Sequence, residues 1–311
     1  MSRILIALGG NALGNSPQEQ QEMIEKSAPS LVGLIKQGHE IIISHGNGPQ
    51  VGMINLAFET ASKYTDKIPK FQLPECTAMS QGYIGFHLQK GIKKELRNEN
   101  MPWKVASVIT QVIVDKNDEA FKNPTKPIGS FYTEEESKKM MEEDSTLIMK
   151  EDSGRGYRQL VASPKPVGIV ERDSILNLLD DEFIVIACGG GGIPVVLDDK
   201  GDYKSVSAVI DKDFASAKLA ELVNADYLFI LTAVDRVAIN FGKPNQKEIV
   251  EMSIDEAIKY CDEGQFAPGS MLPKVQAAMN FVSSKNGRKS IIASLENAPL
   301  AMSGESGTII Y

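Results

Sequence analysis

The sequence predicts an α/β fold: a three-layer α/β/α sandwich around an open, mainly parallel sheet, with a small protruding subdomain. Three observations carry this expectation. Short apolar runs such as Ile4 to Leu8 alternate with amphipathic stretches of helical length, and that rhythm implies right-handed crossovers and a parallel sheet covered on both faces. Several of the runs stop at glycine-rich loops, namely Gly9-Gly10-Asn11, His45-Gly46-Asn47-Gly48-Pro49 and Gly189-Gly190-Gly191-Gly192. The rhythm also breaks once, between about residues 116 and 165.

Each element has its own justification. Ile4 to Leu8 is apolar throughout and reads as a buried strand. Glu19 to Gln37 carries Met23, Ile24, Leu31, Leu34 and Ile35 on one helical stripe, with Gly38 as a C-terminal cap. Glu40 to Ser44 is a second strand, and Gln50 to Ser62 a helix behind the His45-to-Pro49 loop. Pro74 to Glu99 reads as mostly helical, and the β-branched run Val105 to Val114 as a third strand. The stretch 116–165 holds Pro124, Pro127, Pro164 and the charge-rich helical run Thr133 to Glu143, too little apolar content for a domain of its own. A flap or protrusion is the expected form, since long excursions inside compact domains are usually functional or disordered. Beyond it come strands at Glu182 to Cys188, Tyr227 to Thr232 and Ser290 to Ala293, with an edge strand at Thr308 to Tyr311. Helices are expected at Asp213 to Asn224, Ile254 to Cys261 and Leu272 to Ser284. The length suits two lobes or one large α/β unit; as lobes they would be 1–220 with the protrusion and 221–311, with ligands meeting between the halves at the sheet's C-terminal edge.

Composition narrows the function classes. The 311 residues carry 33 Lys+Arg against 41 Asp+Glu, a net charge of −8. That balance argues against nucleic acid and anionic membrane as partners, because both need a basic face. Cys76, Cys188 and Cys261 are few and widely spaced, so neither a Cys-rich zinc site nor a disulfide framework is expected. The apolar run after Arg3 is too short for a signal peptide, and no stretch approaches the roughly 20 apolar residues of a membrane span. The expectation is a reduced, soluble, cytoplasmic protein.

The loops and lysines point to phosphoryl transfer. Glycine-rich turns at helix starts offer free N–H donors and the positive end of a helix dipole to a phosphate. None of the loops fits the dinucleotide fingerprint or a phosphate loop ending in Gly-Lys-Ser/Thr. Lys212, between Asp211 and Asp213, opens a helix; Lys274 follows Gly269-Ser270-Met271-Leu272-Pro273 at another helix start; Lys126 lies between Pro124 and Pro127. His39, His45 and His87 lack metal-ligand spacing, and no Ser-His-Asp arrangement is evident. The lack of an obvious base suits phosphoryl transfer, which depends mainly on positioning and electrostatic stabilisation.

Taken together, the blocks Ala7 to Leu13, His45 to Gly52, Ala78-Met79-Ser80-Gln81-Gly82, Pro124-Thr125-Lys126-Pro127, Ser163-Pro164-Lys165-Pro166, Gly189 to Pro194, Val209 to Asp213 and Leu272-Pro273-Lys274 closely resemble carbamate kinase, of the amino acid kinase superfamily. Superfamily relatives usually place a lysine two residues before the first Gly-Gly. Here that place is Ala7, and the resemblance implies that Lys126 supplies the missing charge. It further implies reversible phosphoryl transfer between carbamoyl phosphate + ADP and carbamate + ATP, with Mg²⁺ carried by the nucleotide and no metal ligand from the protein, in a homodimer. Gly9, Gly10, Asn11, Gly46, Asn47 and Gly48 would hold the carbamoyl and phosphoryl groups. Lys126, Lys212 and Lys274 would neutralise charge, and Asp213 would orient the lysines. Gly189, Gly190, Ala233, Val234, Asp235, Tyr260, Met271 and Lys274 would serve the nucleotide. Two other readings stand beside this one: a sister kinase for another small carboxylate, and a non-catalytic nucleotide or metabolite sensor. Ala7 and the Pro-Thr-Lys-Pro segment weigh against the first; Lys126, Lys212, Asp213 and Lys274 weigh against the second.

Overall fold

Arg3–Leu8 lies at the middle of the sheet because both of its faces are apolar. In the computed structural model, which describes residues 1–9, 13–14, 16–152 and 154–311, eight strands form that central sheet. Their order is Glu251–Met252, Thr308–Ile310, Lys289–Ser294, Tyr227–Thr232, Arg3–Leu8, Glu40–His45, Phe183–Ile186 and Lys104–Ser107. The last six pair in parallel throughout, and Thr308–Ile310 runs antiparallel to Lys289–Ser294. The fold is the expected α/β sandwich with a mainly parallel sheet.

Strand alternation sorts the apolar side chains into two cores. Leu5 and Ala7 join Ile42, Val185, Leu228 and Ile230 on one face, packed under the helices Lys212–Leu222 and Met271–Ser283. Ile4, Ile6 and Leu8 join Ile41, Ile43, Ile184 and Phe229 on the other, under Pro17–Lys36 and Leu73–Asn98. Local chemistry fixes where these helices begin. Ser16 accepts from the Glu19 N–H and Pro17 occupies the first turn. The register Leu8↔His45 and Thr232↔Ser294 brings the ends of four parallel strands to one edge, so their loops converge there.

A second sheet, ordered Tyr203–Ser205, Ile193–Leu197, Gln111–Val114 and Pro166–Ile169, carries the protrusion. The protrusion itself is a three-stranded antiparallel sheet of Lys126–Tyr132, Tyr157–Val161 and Ile148–Glu151, with the helix Glu134–Glu143. Thr133 and Glu136 form a reciprocal capping box at that helix start.

Three expectations need correction. The run Val105 to Val114 is two strands in two sheets, Lys104–Ser107 and Gln111–Val114. Between them the Thr110 N–H donates to the Gln81 carboxamide oxygen at 2.7 Å, and the Thr110 hydroxyl accepts the Cys188 N–H at 3.0 Å. A β-branched run shows that a chain is extended, not which partners it pairs with. Thr308–Ile310 is not an edge strand; it lies between Lys289–Ser294 and Glu251–Met252. Gly189 to Gly192 does not lead into a helix. It makes a buried 3₁₀ turn before the strand Ile193–Leu197, and its Gly191 and Gly192 N–H groups are bonded to Cys188 and Gly189 carbonyls. The helix Arg172–Asp180 is an element beyond those expected, its short apolar stripe flanked by acidic residues.

Candidate active site

The strand ends and helix starts surround a cleft of about 360 Å³. Gly9 and the loop Gly46-Asn47-Gly48 form one wall, Lys126 reaches in from the protrusion, and Asp211-Lys212-Asp213 and Lys274 close the other side. The five segments are remote in sequence; the ends of the parallel strands bring four of them together, and the protrusion brings Lys126. Gly10 and Asn11, expected beside Gly9, lie outside the described residues.

Each wall has a physical reason for its residues. A Cβ on Gly9 would stand 2.9 Å from the Leu231 carbonyl oxygen, so only glycine allows the first loop to pass the neighbouring strand. Gly48 opens the helix Gly48–Tyr64, whose N-cap Asn47 gives no side-chain cap. Asn47 turns away instead and donates from Nδ2 to Ser80 Oγ at 2.9 Å. The start of that helix therefore faces the cleft as a dipole end suited to an anion.

Asp213 organises the cations. It is 4 % exposed. Lys212 Nζ donates to one of its oxygens, and Lys274 Nζ donates to the other, Oδ2, at 2.9 Å. Burial tends to raise the Asp213 carboxyl, but the two ammoniums outweigh it and hold the group below the ordinary aspartate range. Burial pushes the Lys212 ammonium below the ordinary lysine range; Asp213 opposes that shift and Lys274 reinforces it. Lys126 Nζ sits 2.6 Å from Asp211 Oδ2. The other Asp211 oxygen accepts the Asp213 N–H at 2.9 Å and caps the helix Lys212–Leu222. Three ammoniums thus face two carboxylates, leaving the cleft one net positive charge.

His45 is buried and donates from Nδ1 to the Gly46 carbonyl oxygen at 2.9 Å. Burial lowers its pKa to about 4, so it is neutral near pH 7 and serves as a support. The remaining expected residues are distributed around this centre. Gly189 packs against the His45 ring, and Gly190, at φ +67°, against the Asn47 amide, so both underlie the second loop. Gly190 also lines the cleft. Ala233 borders an adjoining cavity of about 310 Å³ that shares Gly9, Leu231 and Thr232 with the cleft. Val234 is half-buried. Asp235 accepts from the Ser294 hydroxyl and, at 2.7 Å, from Asn297 Nδ2. Tyr260 meets Phe266 edge to face, and Met271 opens the helix that carries Lys274. Sequence reasoning missed Asp211 as the partner of Lys126 and Ser80 as the partner of Asn47. An aspartate at a helix N-cap is a readable signal, but its second oxygen's partner, 85 residues away, is not.

The amino acid kinase family pattern matches residues 2–294, and the chain belongs to the amino acid kinase family. A carbamate kinase of Clostridium perfringens (strain 13 / Type A) is 56% identical, with 99% of each chain covered. The carbamate kinase-like protein YqeA of Escherichia coli (strain K12) is 50% identical, covering 99% of this chain and 98% of the relative. Among solved structures, carbamate kinase from Giardia lamblia bound to AMP-PNP superposes with a TM-score of 0.91 at 40% identity, covering 99% of this chain and 98% of that one. Within the family, the chain groups with the carbamate kinases.

Proposed function

We propose that this chain catalyses reversible phosphoryl transfer between carbamoyl phosphate + ADP and carbamate + ATP, without a covalent intermediate. The observation that carries this reading is the shared carboxylate of Asp213, which sets Lys212 and Lys274 side by side in a cleft bounded by Gly9, Gly46 and Gly48. Preorganised cations cost no reorganisation when charge spreads over the transferring oxygens. Lys212 stabilises the phosphoryl group in flight, and Lys274 serves the nucleotide phosphates. Lys126 meets the carbamoyl phosphate end, in place of the lysine that Ala7 lacks. The attacking carbamate oxygen is already an anion, so no general base is required, in keeping with a neutral, supporting His45.

In this reading the lobe 1–220, with the protrusion 116–165, binds the carbamoyl group and the lobe 221–311 the nucleotide. Gly10 and Asn11 belong with Gly9, and Ala233, Val234, Asp235, Tyr260 and Met271 with the nucleoside. Mg²⁺ travels with the nucleotide and adds charge neutralisation there. Both carboxylates at the cleft, Asp211 and Asp213, are engaged by lysines. A homodimer in the cytoplasm completes the reading. No helix among the described residues is long and apolar enough to cross a membrane.

The test is a coupled assay for ATP formation from carbamoyl phosphate and ADP. Turnover that needs both substrates and Mg²⁺ supports the proposal. Nucleotide binding without turnover would favour a sensor instead.

A further inference from the structure

We infer that Asp211 is a positioning residue that seats Lys126 in the cleft and thereby ties the protrusion to the helix bearing Lys212 and Asp213. The inference rests on the kinase reading for its activity readout and on geometry for the rest. Lys126 is the first residue of the strand Lys126–Tyr132, which belongs to the protrusion's own sheet and not to the central one. Nothing in the central sheet's pairing therefore fixes where its ammonium stands. Asp211 does so. Its Oδ2 lies 2.6 Å from Lys126 Nζ, and its Oδ1 is held by the Asp213 N–H at 2.9 Å. A carboxylate gripped at one oxygen by a helix N-terminus has a fixed plane, so the second oxygen presents a fixed target to the lysine.

A second contact pins the same strand from the other wall. A Cβ on Gly52 would stand 2.8 Å from Gly129 Cα, so the helix Gly48–Tyr64 meets the protrusion backbone to backbone. The strand thus touches, at Lys126 and Gly129, the two elements that carry Lys212 and the Gly46-Asn47-Gly48 loop. The Lys126 side chain is 34% exposed and that of Asp211 17%, against 13% for Lys212 and 5% for Asp213. The outer pair is the more accessible of the two, as suits an ammonium that must reach an incoming oxyanion without leaving its seat. Asp213 gathers the two more enclosed cations; Asp211 aligns the protrusion's cation with them.

The experiment is a double-mutant cycle of Asp211→Asn and Lys126→Ala. Asparagine is as good an N-cap as aspartate, so Asp211→Asn removes the lysine's partner while keeping the helix start. Asp211→Asn is expected to lower kcat/KM for carbamoyl phosphate tenfold or more while ADP affinity by calorimetry stays within twofold. The double variant should be no worse than Lys126→Ala alone. Hydrogen exchange read independently of activity should quicken in Lys126–Tyr132 in Asp211→Asn and also in Gly52→Ala. Multiplying, independent effects in the cycle, or unchanged exchange in that strand, would overturn the inference. If the wild-type protein does not turn over, the kinase reading fails by itself, and exchange in the strand still decides whether Asp211 seats it.

Discussion

Lys274 Nζ lies 2.9 Å from Asp213 Oδ2 across 61 residues of sequence, on the opposite side of the same carboxylate from Lys212. The arrangement joins two helix starts, Lys212–Leu222 and Met271–Ser283, that pack on one face of the sheet. Two largely enclosed ammoniums, with side chains 13% and 14% exposed, would repel each other and lose hydration. One shared, ionised carboxylate offsets both costs and fixes their spacing.

Replacing Lys212 by alanine should remove a desolvated cation from the transferring group. Loss of such a group costs on the order of 3 kcal/mol, roughly a hundredfold in rate. Turnover should fall by about that factor with little change in either KM. Steady-state kinetics check this, and a variant within threefold of the wild-type kcat would exclude Lys212 from the chemistry.

Lys274→Ala should weaken ADP binding as well as slow turnover, because its helix lies in the half of the chain proposed to bind the nucleotide. Calorimetric titration with ADP is the measurement. An unchanged affinity would move Lys274 from the nucleotide to the transferred group alone.

Asp213→Asn should show its effect in pH profiles. With less negative charge nearby, the Lys212 ammonium releases its proton more readily, so the alkaline fall in kcat should begin at lower pH than in the wild type. Acid stability carries the opposite edge of the same pair. The folded Asp213 pKa is lowered from 3.8 to about 2, so its contribution is fully present above pH 3.8 and is lost as pH falls toward about 2. The melting-temperature difference between wild type and Asp213→Asn should therefore narrow across that window.

The protrusion should respond to the anionic substrate rather than to the nucleotide. An ammonium gains most on meeting an oxyanion away from water, so carbamoyl phosphate or an analogue should slow protease cutting within residues 116–165. Lys126→Ala should impair carbamoyl phosphate use and abolish that protection while leaving ADP binding nearly intact. Normal kinetics for carbamoyl phosphate in this variant would make the protrusion purely structural.

Gly190→Ala should disturb the second loop without touching a charged group. Gly190 sits at φ +67°, and a Cβ there would fall 2.1 Å from Asn47 Nδ2. The substitution should break the Asn47–Ser80 bond and lower turnover at least tenfold, roughly the effect of a small misplacement of a positioning group. Wild-type kinetics would show that Asn47 can relax freely.

The central strands were legible because their chemistry is local. Ile4 to Leu8 and Tyr227 to Thr232 are apolar on both faces, and a strand of that kind must be buried on both. The long helices were legible from their stripes and caps. The second sheet was not: Val105 to Val114 looks continuous, and groups remote in sequence, Gln81 and Cys188 among them, hold its turn at Thr110. The site divides in the same way. Gly9, Asn47, Lys126, Lys212, Asp213 and Lys274 could each be named from a loop, a helix start or a resemblance, and the cleft contains all of them.

The sequence by itself determined the main central strands and the long helices between them, the glycines where backbones must pass closely, and the supply of lysines, because propensity, capping and close approach act over a few residues. Tertiary structure alone decided which oxygen each lysine meets: Lys274 with Lys212 on Asp213, and Lys126 on Asp211. It also decided that Gly189 and Gly190 support His45 and Asn47. The physical reason is that a charge pair forms where separate strand ends and helix starts are brought within a few ångströms, and that distance is set by the packing of the whole sheet.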